Sequence, residues 1–203
     1  MVETLNIVVL GAPGVGKTAI IRRFIYNDFT EKYNPTSSRC IYRPSVVLHD
    51  SVYDLKVMDT PPLTVLPARS SQEWMDSRCR GIRNANAYIL VYDICCWESF
   101  EYVKMIRQQI VENRMSSSSE APVIVVGNKR DLQKQRFTSR RAISVLVKKT
   151  WKCGYIECSA KYNWHIVLLF KELLAGAVIT GCKHNHSAIR IQGALHRNRC
   201  SLM

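Results

Sequence analysis

Apolar residues along this chain fall into short runs, separated by stretches in which they recur every third or fourth position. The runs Leu5–Leu10, Ile41–His49, Val52–Asp59, Ala87–Asp93, Val123–Asn128 and Tyr155–Cys158 are strand-length, mostly rich in Val and Ile, and predict six strands. Helical spacing predicts helices over Lys17–Tyr26, Ser99–Arg114, Ser139–Trp151 and Asn163–Ala177. In the last of these, Ile166, Leu169, Phe170, Leu173 and Leu174 share one face, with Asn163 as the expected N-cap. His49-Asp50-Ser51 is expected to turn a hairpin between the second and third strands. Alternating strands and helices imply an α/β fold, a doubly wound and mostly parallel six-stranded sheet with helices on both faces. Ligand loops then lie at the carboxyl ends of its strands.

The first strand runs into Gly11-Ala12-Pro13-Gly14-Val15-Gly16-Lys17-Thr18, and Ala19 continues into the first helix. Strand, glycine-rich loop and helix in that order make a phosphate-binding P-loop. Its glycines let successive backbone N–H groups turn toward a polyphosphate at a positive helix end, while Lys17 reaches the β- and γ-phosphates and Thr18 reaches Mg²⁺. The Val123–Gly127 run feeds Asn128-Lys129-Arg130-Asp131. A carboxylate there accepts from the two donors on the guanine edge, which adenine lacks, so Asp131 is expected to select guanine. Asn128 is expected to tie this loop to the P-loop, and the Lys129 stem to cover a face of the base. Ser159-Ala160-Lys161, after the last strand, offers backbone N–H groups to the guanine O6. The P-loop alone also opens many ATPases and kinases; the N-K-x-D tetrapeptide speaks against them.

With these motifs the chain resembles the Ras-type small GTPases from residue 4 to about 180, as one of the divergent Ras-like branches. Tyr33-Asn34-Pro35-Thr36 resembles switch I and Asp59-Thr60 the start of switch II. The resemblance implies a P-loop NTPase fold, GTP and GDP as ligands, and Mg²⁺ held by Thr18, Thr36 and Asp59. It further implies Phe29 packed against the base and Lys17 and Thr36 as catalytic groups. The effector region then covers Tyr33, Asn34, Pro35, Thr36, Ser37, Ser38, Arg39, Cys40 and Ile41. The last four residues, Cys200-Ser201-Leu202-Met203, match the family's C-a-a-X lipidation box, with Cys200 as the prenylated residue.

Departures from the family pattern are concentrated at the hydrolysis machinery. Where the family reads D-T-A-G-Q, this chain reads Asp59-Thr60-Pro61-Pro62-Leu63. Pro62 lacks the N–H that senses the γ-phosphate, and Leu63 replaces the glutamine that orients the attacking water. Pro13 replaces a P-loop glycine, removes another donor, and projects its ring where an arginine finger would pass. Slow hydrolysis is the expectation, with Arg69, Gln72 and Glu73 available as substitutes. The segment Leu63–Asn86 is longer than its Ras counterpart, and Gln72–Arg83 is expected to form a helix with Trp74 and Ile82 partly buried. Arg39 stands where Ras effectors meet acidic residues, so those effectors are poor candidates.

Composition adds two constraints. A chain of 203 residues, 47% hydrophobic, suits one domain over 1–180 followed by a flexible basic tail over 181–203. Eight cysteines without C-x-x-C spacing, no secretory signal and no long apolar run suit a reducing compartment and no spanning helix. Trp97, Trp151, Trp164, Met58 and Met105 are expected as core or helix-packing residues rather than a cofactor box, and the five histidines lack metal-ligand spacing. The net charge is +13, and no acidic residue follows Glu172. Lys183, Arg190, Arg197 and Arg199 precede Cys200, so a farnesyl group and a basic tail are expected to hold the protein at the cytoplasmic face of the plasma membrane. Cys182 is better read as uncommitted than as an acylation site. The alternative reading of the charge is a nuclear or nucleolar GTP-binding regulator, although interleaved aromatics and RNA-binding signatures are lacking. Protein effectors and exchange factors are the expected partners of a monomer.

Overall fold

The computed structural model describes residues 3–48, 51–63, 81–82, 85–114, 121–181, 195–196 and 199–201. Among these, β1 is Glu3–Gly11, β2 Cys40–Tyr42, β3 Ser45–Leu48, β4 Ser51–Asp59, β5 Ala87–Asp93, β6 Val123–Asn128, β7 Gly154–Glu157, β8 Leu195–His196 and β9 Arg199–Ser201. The α-helices are α1 Lys17–Tyr26, α2 Trp97–Arg114, α3 Arg140–Val145 and α4 Ile166–Gly181. The sheet runs β7-β6-β5-β1-β4-β3-β9-β8, with β2 also on β4. Pairs among β7, β6, β5, β1 and β4 are all parallel, while β2 and β3 lie antiparallel to β4.

The mostly parallel sheet agrees with expectation, but its strand count is nine among the described residues rather than six. The second expected strand is divided at Arg43-Pro44, because proline supplies no N–H to the ladder; its carbonyl still accepts from the Leu55 N–H at 2.8 Å. Leu48 pairs with Ser51, as a hairpin requires, although the turn residues 49 and 50 lie outside the described residues. The remaining additions, β8 and β9, come from the tail, where Arg199–Ser201 pairs with Ser45–Val47.

Strand alternation divides the core between the two faces of the sheet. Ile7 and Val9 of β1, with Ile89 and Val91 of β5, join Ile20, Ile21 and Phe24 of α1 and Leu169, Phe170 and Leu173 of α4. Val8 and Leu10, with Leu90 and Tyr92, face Phe100, Val103 and Ile106 of α2. Each such fully buried side chain stabilises the fold by about 1.5–3 kcal/mol.

Several boundaries and packing assignments are corrected. α3 is capped by Ser139, whose Oγ accepts from the Ala142 N–H at 3.2 Å, and it widens into a π-helical turn over Leu146–Thr150. α4 begins at Ile166, three residues later than expected. Asn163 and His165 have φ of +55° and +58°, and Ser159 and Trp164 exchange backbone hydrogen bonds that hold the chain out of the helix. Gly81, at φ +89°, and Ile82 form a turn where the Gln72–Arg83 helix was expected; the other residues of that span lie outside the described set. Ile82 itself is fully rather than partly buried. Met58 is buried, Trp151 stacks on Phe100, and Trp97, 48% exposed, packs its ring edge-on against Phe137, whereas Trp164 and Met105 are surface residues. Trp164 instead carries the Arg130 guanidinium 3.3 Å above its ring.

Candidate nucleotide-binding site

The P-loop leaves β1 at the carboxyl edge of the sheet, where backbone crowding selects glycine. A Cβ on Gly11 would lie 2.4 Å from the Val91 carbonyl oxygen, and one on Gly16 would lie 2.3 Å from Asn128 Nδ2. Gly14 and Gly16 also take positive φ, +72° and +94°, which opens the loop into a cradle of N–H groups. Lys17 is buried at its centre, donating from Nζ to the carbonyls of Gly11 at 2.9 Å and Ala12 at 3.0 Å. Burial lowers its pKa, and the charge of Asp59 works in the opposite direction.

Thr18, Thr36 and Asp59 arrive from α1, the segment before β2, and the end of β4. Thr18 Oγ1 donates to Asp59 Oδ2 at 2.5 Å and lies 3.0 Å from Thr36 Oγ1. The other oxygen, Asp59 Oδ1, is buried and has no hydrogen-bond partner among the described residues. Desolvation raises the Asp59 pKa, against the hydrogen bond from Thr18 and the charge of Lys17. An orphaned carboxylate oxygen beside two hydroxyls is a donor set that fits a hard divalent cation such as Mg²⁺.

Asn128 joins the two ends of the site. Its Nδ2 donates to the Val15 carbonyl at 2.9 Å, and its Oδ1 accepts from the Ala160 N–H at 3.2 Å. Asp131 Oδ1 accepts from Ser159 Oγ at 2.6 Å, while Lys129, at φ +63°, pairs through Nζ with Asp93 at 2.8 Å. The Ser159 N–H is taken by the Trp164 carbonyl. The backbone donors of Ser159 and Ala160 are therefore engaged within the protein. A cavity of about 510 Å³ between α2 and the π turn is separate from these residues. The one over the P-loop, about 730 Å³, is lined by Pro13, Gly14, Gly16–Ala19, Phe29–Thr36, Pro62 and Lys129. Asn128, Asp131 and Ser159–Lys161 are not among its lining residues; Asn128 ties Ala160 to Val15 of the P-loop.

Switch I residues Tyr33, Asn34, Pro35, Ser37, Ser38 and Cys40 are exposed, Thr36 turns partly inward, and Arg39 and Ile41 are half-buried. Pro62 faces the cavity, but Leu63 points away from it into the core beside α2.

Two supports were missed in the sequence. Arg23 of α1 donates from Nε to the Ala160 carbonyl at 2.8 Å, from Nη2 to Lys161 O at 2.9 Å and from Nη1 to Asn27 O at 2.9 Å. Its guanidinium also lies 5.7 Å from the Phe29 ring centroid, so it binds α1, the base loop and the aromatic together. Lys161 closes the same end by pairing with Glu31 at 2.6 Å. Glu157, at the end of β7, is the second support. Its buried carboxylate accepts from Arg136 at 3.2 and 3.0 Å and from the Tyr155 hydroxyl at 2.8 Å. A basic residue on the polar side of α1 and a lone acid in an apolar strand were the available signals.

The Ras family model, described as "Ras family", matches residues 6–178. The chain is 59% identical to human Ras-like protein family member 10B over 203 residues, all of both chains. It is 50% identical to human Ras-like protein family member 10A over 203 residues, 98% of each chain. It is 35% identical to mouse GTP-binding protein Di-Ras2 over 169 residues, covering 83% of this chain and 79% of that one. A family match across nearly all of the doubly wound domain, on a P-loop joined by Asn128 to an N-K-x-D loop, establishes that this chain belongs to the Ras family.

Proposed function

We propose that this protein is a GTP-binding switch of the Ras type, which engages protein partners when loaded with GTP and hydrolyses it slowly. The observation that carries this reading is Asn128, whose two side-chain hydrogen bonds tie the phosphate loop and the segment carrying Ala160 to the N-K-x-D loop, framing one proposed site. In it, Lys17 and the P-loop N–H groups hold the polyphosphate, Asp131 reads the guanine edge, and Phe29 and Lys129 flank the base. Thr18, Thr36 and Asp59 hold Mg²⁺. When bound, Mg²⁺ neutralises charge on the β- and γ-phosphate oxygens. Lys17 carries a positive charge to the same oxygens, and the P-loop donors need no reorganisation to meet them.

Slow turnover is inferred from what is missing. Pro62 has no N–H to offer the γ-phosphate, Leu63 has no polar side-chain atom to orient water, and Leu63 is buried besides. Partners are proposed to differ from those of Ras, because the switch I face presents Ser37, Ser38 and Arg39 instead of acids.

At the membrane, a farnesyl group on Cys200 would supply one anchoring signal and basic residues the other. Support comes from Lys134, Arg140, Arg141, Lys148, Lys149 and Lys152, which are all exposed and add positive charge on the folded domain itself. Each cation close to an anionic leaflet contributes about 1 kcal/mol. Titration calorimetry of GTP and ATP in Mg²⁺ tests the central reading. GTP should bind more tightly by about 3 kcal/mol or more, because adenine leaves the Asp131 carboxylate without its two donors. Equal affinity for the two nucleotides would refute it.

A further inference from the structure

The start of switch II is held from two sides. Thr60 Oγ1 donates to the Val9 carbonyl at 3.1 Å, fixing one end on β1. At the other end, the Leu63 N–H donates to the Tyr102 hydroxyl at 2.8 Å, and that hydroxyl donates back to the Leu63 carbonyl at 2.7 Å. The donor of a phenolic hydroxyl and one of its acceptor sites are thus spent on one residue's backbone, 39 positions away. Burial raises the Tyr102 pKa, against the opposing effect of its hydrogen bond with the Leu63 backbone. The Leu63 side chain is only 5% exposed and packs in the apolar cluster on the α2 face. Between these anchors stand Pro61 and Pro62, with φ restricted at both, and Pro61 also confines Thr60 to extended backbone.

We infer that Tyr102 is a positioning residue that latches Leu63 to α2, so that the start of switch II keeps one conformation in the GDP and GTP states alike. A segment that responds to the γ-phosphate needs a donor to meet it and freedom to move. Here Pro62 removes the donor, and the double hydrogen bond to Tyr102 removes the freedom. The mobile part of the response is left to switch I, whose Thr36 hydroxyl reaches the cation site from an exposed segment. The inference rests on the nucleotide-binding reading but not on the rate of hydrolysis.

Amide hydrogen exchange by NMR, on full-length protein loaded with Mg²⁺ and either GDP or a non-hydrolysable GTP analogue, tests it. The Leu63 amide should exchange at the same rate in both states, within about twofold. In Tyr102→Phe it should exchange roughly tenfold faster or more in both, as expected when a buried hydrogen bond is lost. A state-dependent Leu63 amide in the wild type would overturn the latch without recourse to any variant. So would unchanged protection in a folded Tyr102→Phe protein. The Thr36 amide reports separately: if it does not respond to the nucleotide, the switch reading fails while the latch at Leu63 still stands.

Discussion

Single residues set how this pocket keeps and uses its nucleotide. Arg23 holds three backbone carbonyls around the base loop and α1, and each hydrogen bond from a charged donor is worth about 1.5–3 kcal/mol when shielded from water. These bonds are partly exposed, so Arg23→Ala should accelerate GDP release by roughly 5- to 30-fold, corresponding to about 1–2 kcal/mol. Dissociation of a fluorescent GDP analogue measures this, and an unchanged off-rate would leave Arg23 with no part in retention. Leu63 is proposed to govern the other property. Single-turnover hydrolysis should run below the order of 10⁻⁴ s⁻¹ typical of intrinsic Ras turnover, by about tenfold. A rate equal to that of Ras would mean that another group orients the water. Residue by residue, the motifs were legible because phosphate and guanine chemistry fix both residue type and spacing. Arg23 and Tyr102 were not, since their partners lie 137 and 39 positions away and nothing local distinguishes them from solvated or packing residues.

At the scale of elements, β7 does more than complete the sheet edge. It delivers Ser159 and Ala160 to Asp131 and Asn128, and its last residue, Glu157, is the buried acid on which Arg136 converges. Arg130 and Arg140 stand within 3.9 Å of the same carboxylate, so one negative charge holds several guanidiniums together. Replacing it should leave those cations facing one another, and Glu157→Gln is expected to lower unfolding stability by about 3–5 kcal/mol. Chemical denaturation tests this, and a loss below about 1 kcal/mol would show that the cluster relaxes into water. Strands were the most readable elements, because a central parallel strand must be apolar on both faces and β5 and β6 are apolar along nearly their whole length. The π turn after α3 was not readable. It depends on where the chain after Trp151 returns, with the Trp151 and Cys153 N–H groups reaching back to Leu146 and Val147. The late start of α4 has a similar origin, in a backbone bridge between Ser159 and Trp164 that apolar periodicity does not encode.

For the molecule as a whole, a lipid at Cys200 and the basic charge are proposed to set where the protein acts. A Cys200→Ser protein expressed in cells should lose its membrane signal while retaining guanine-nucleotide binding, because scattered cations alone give a weak, salt-sensitive attachment. Persistence at the membrane would shift the anchor to the basic face of the folded domain, and an unchanged nuclear signal would favour the regulator reading. The doubly wound arrangement follows from the order of strands and helices, whereas the pairing of Arg199–Ser201 with β3 was invisible in a tail with no strand-like run.

One consequence concerns biosynthesis. The hydrogen bond from Asn128 to Val15 spans 113 positions, and the Ala160 N–H that Asn128 also holds comes later still. At ~5–20 residues per second, the ribosome needs roughly 6–23 s to go from Val15 to Asn128. A nascent chain must therefore stay soluble through that interval without the ligand that would stabilise it, and slowing translation of its second half should expose it to chaperones for longer.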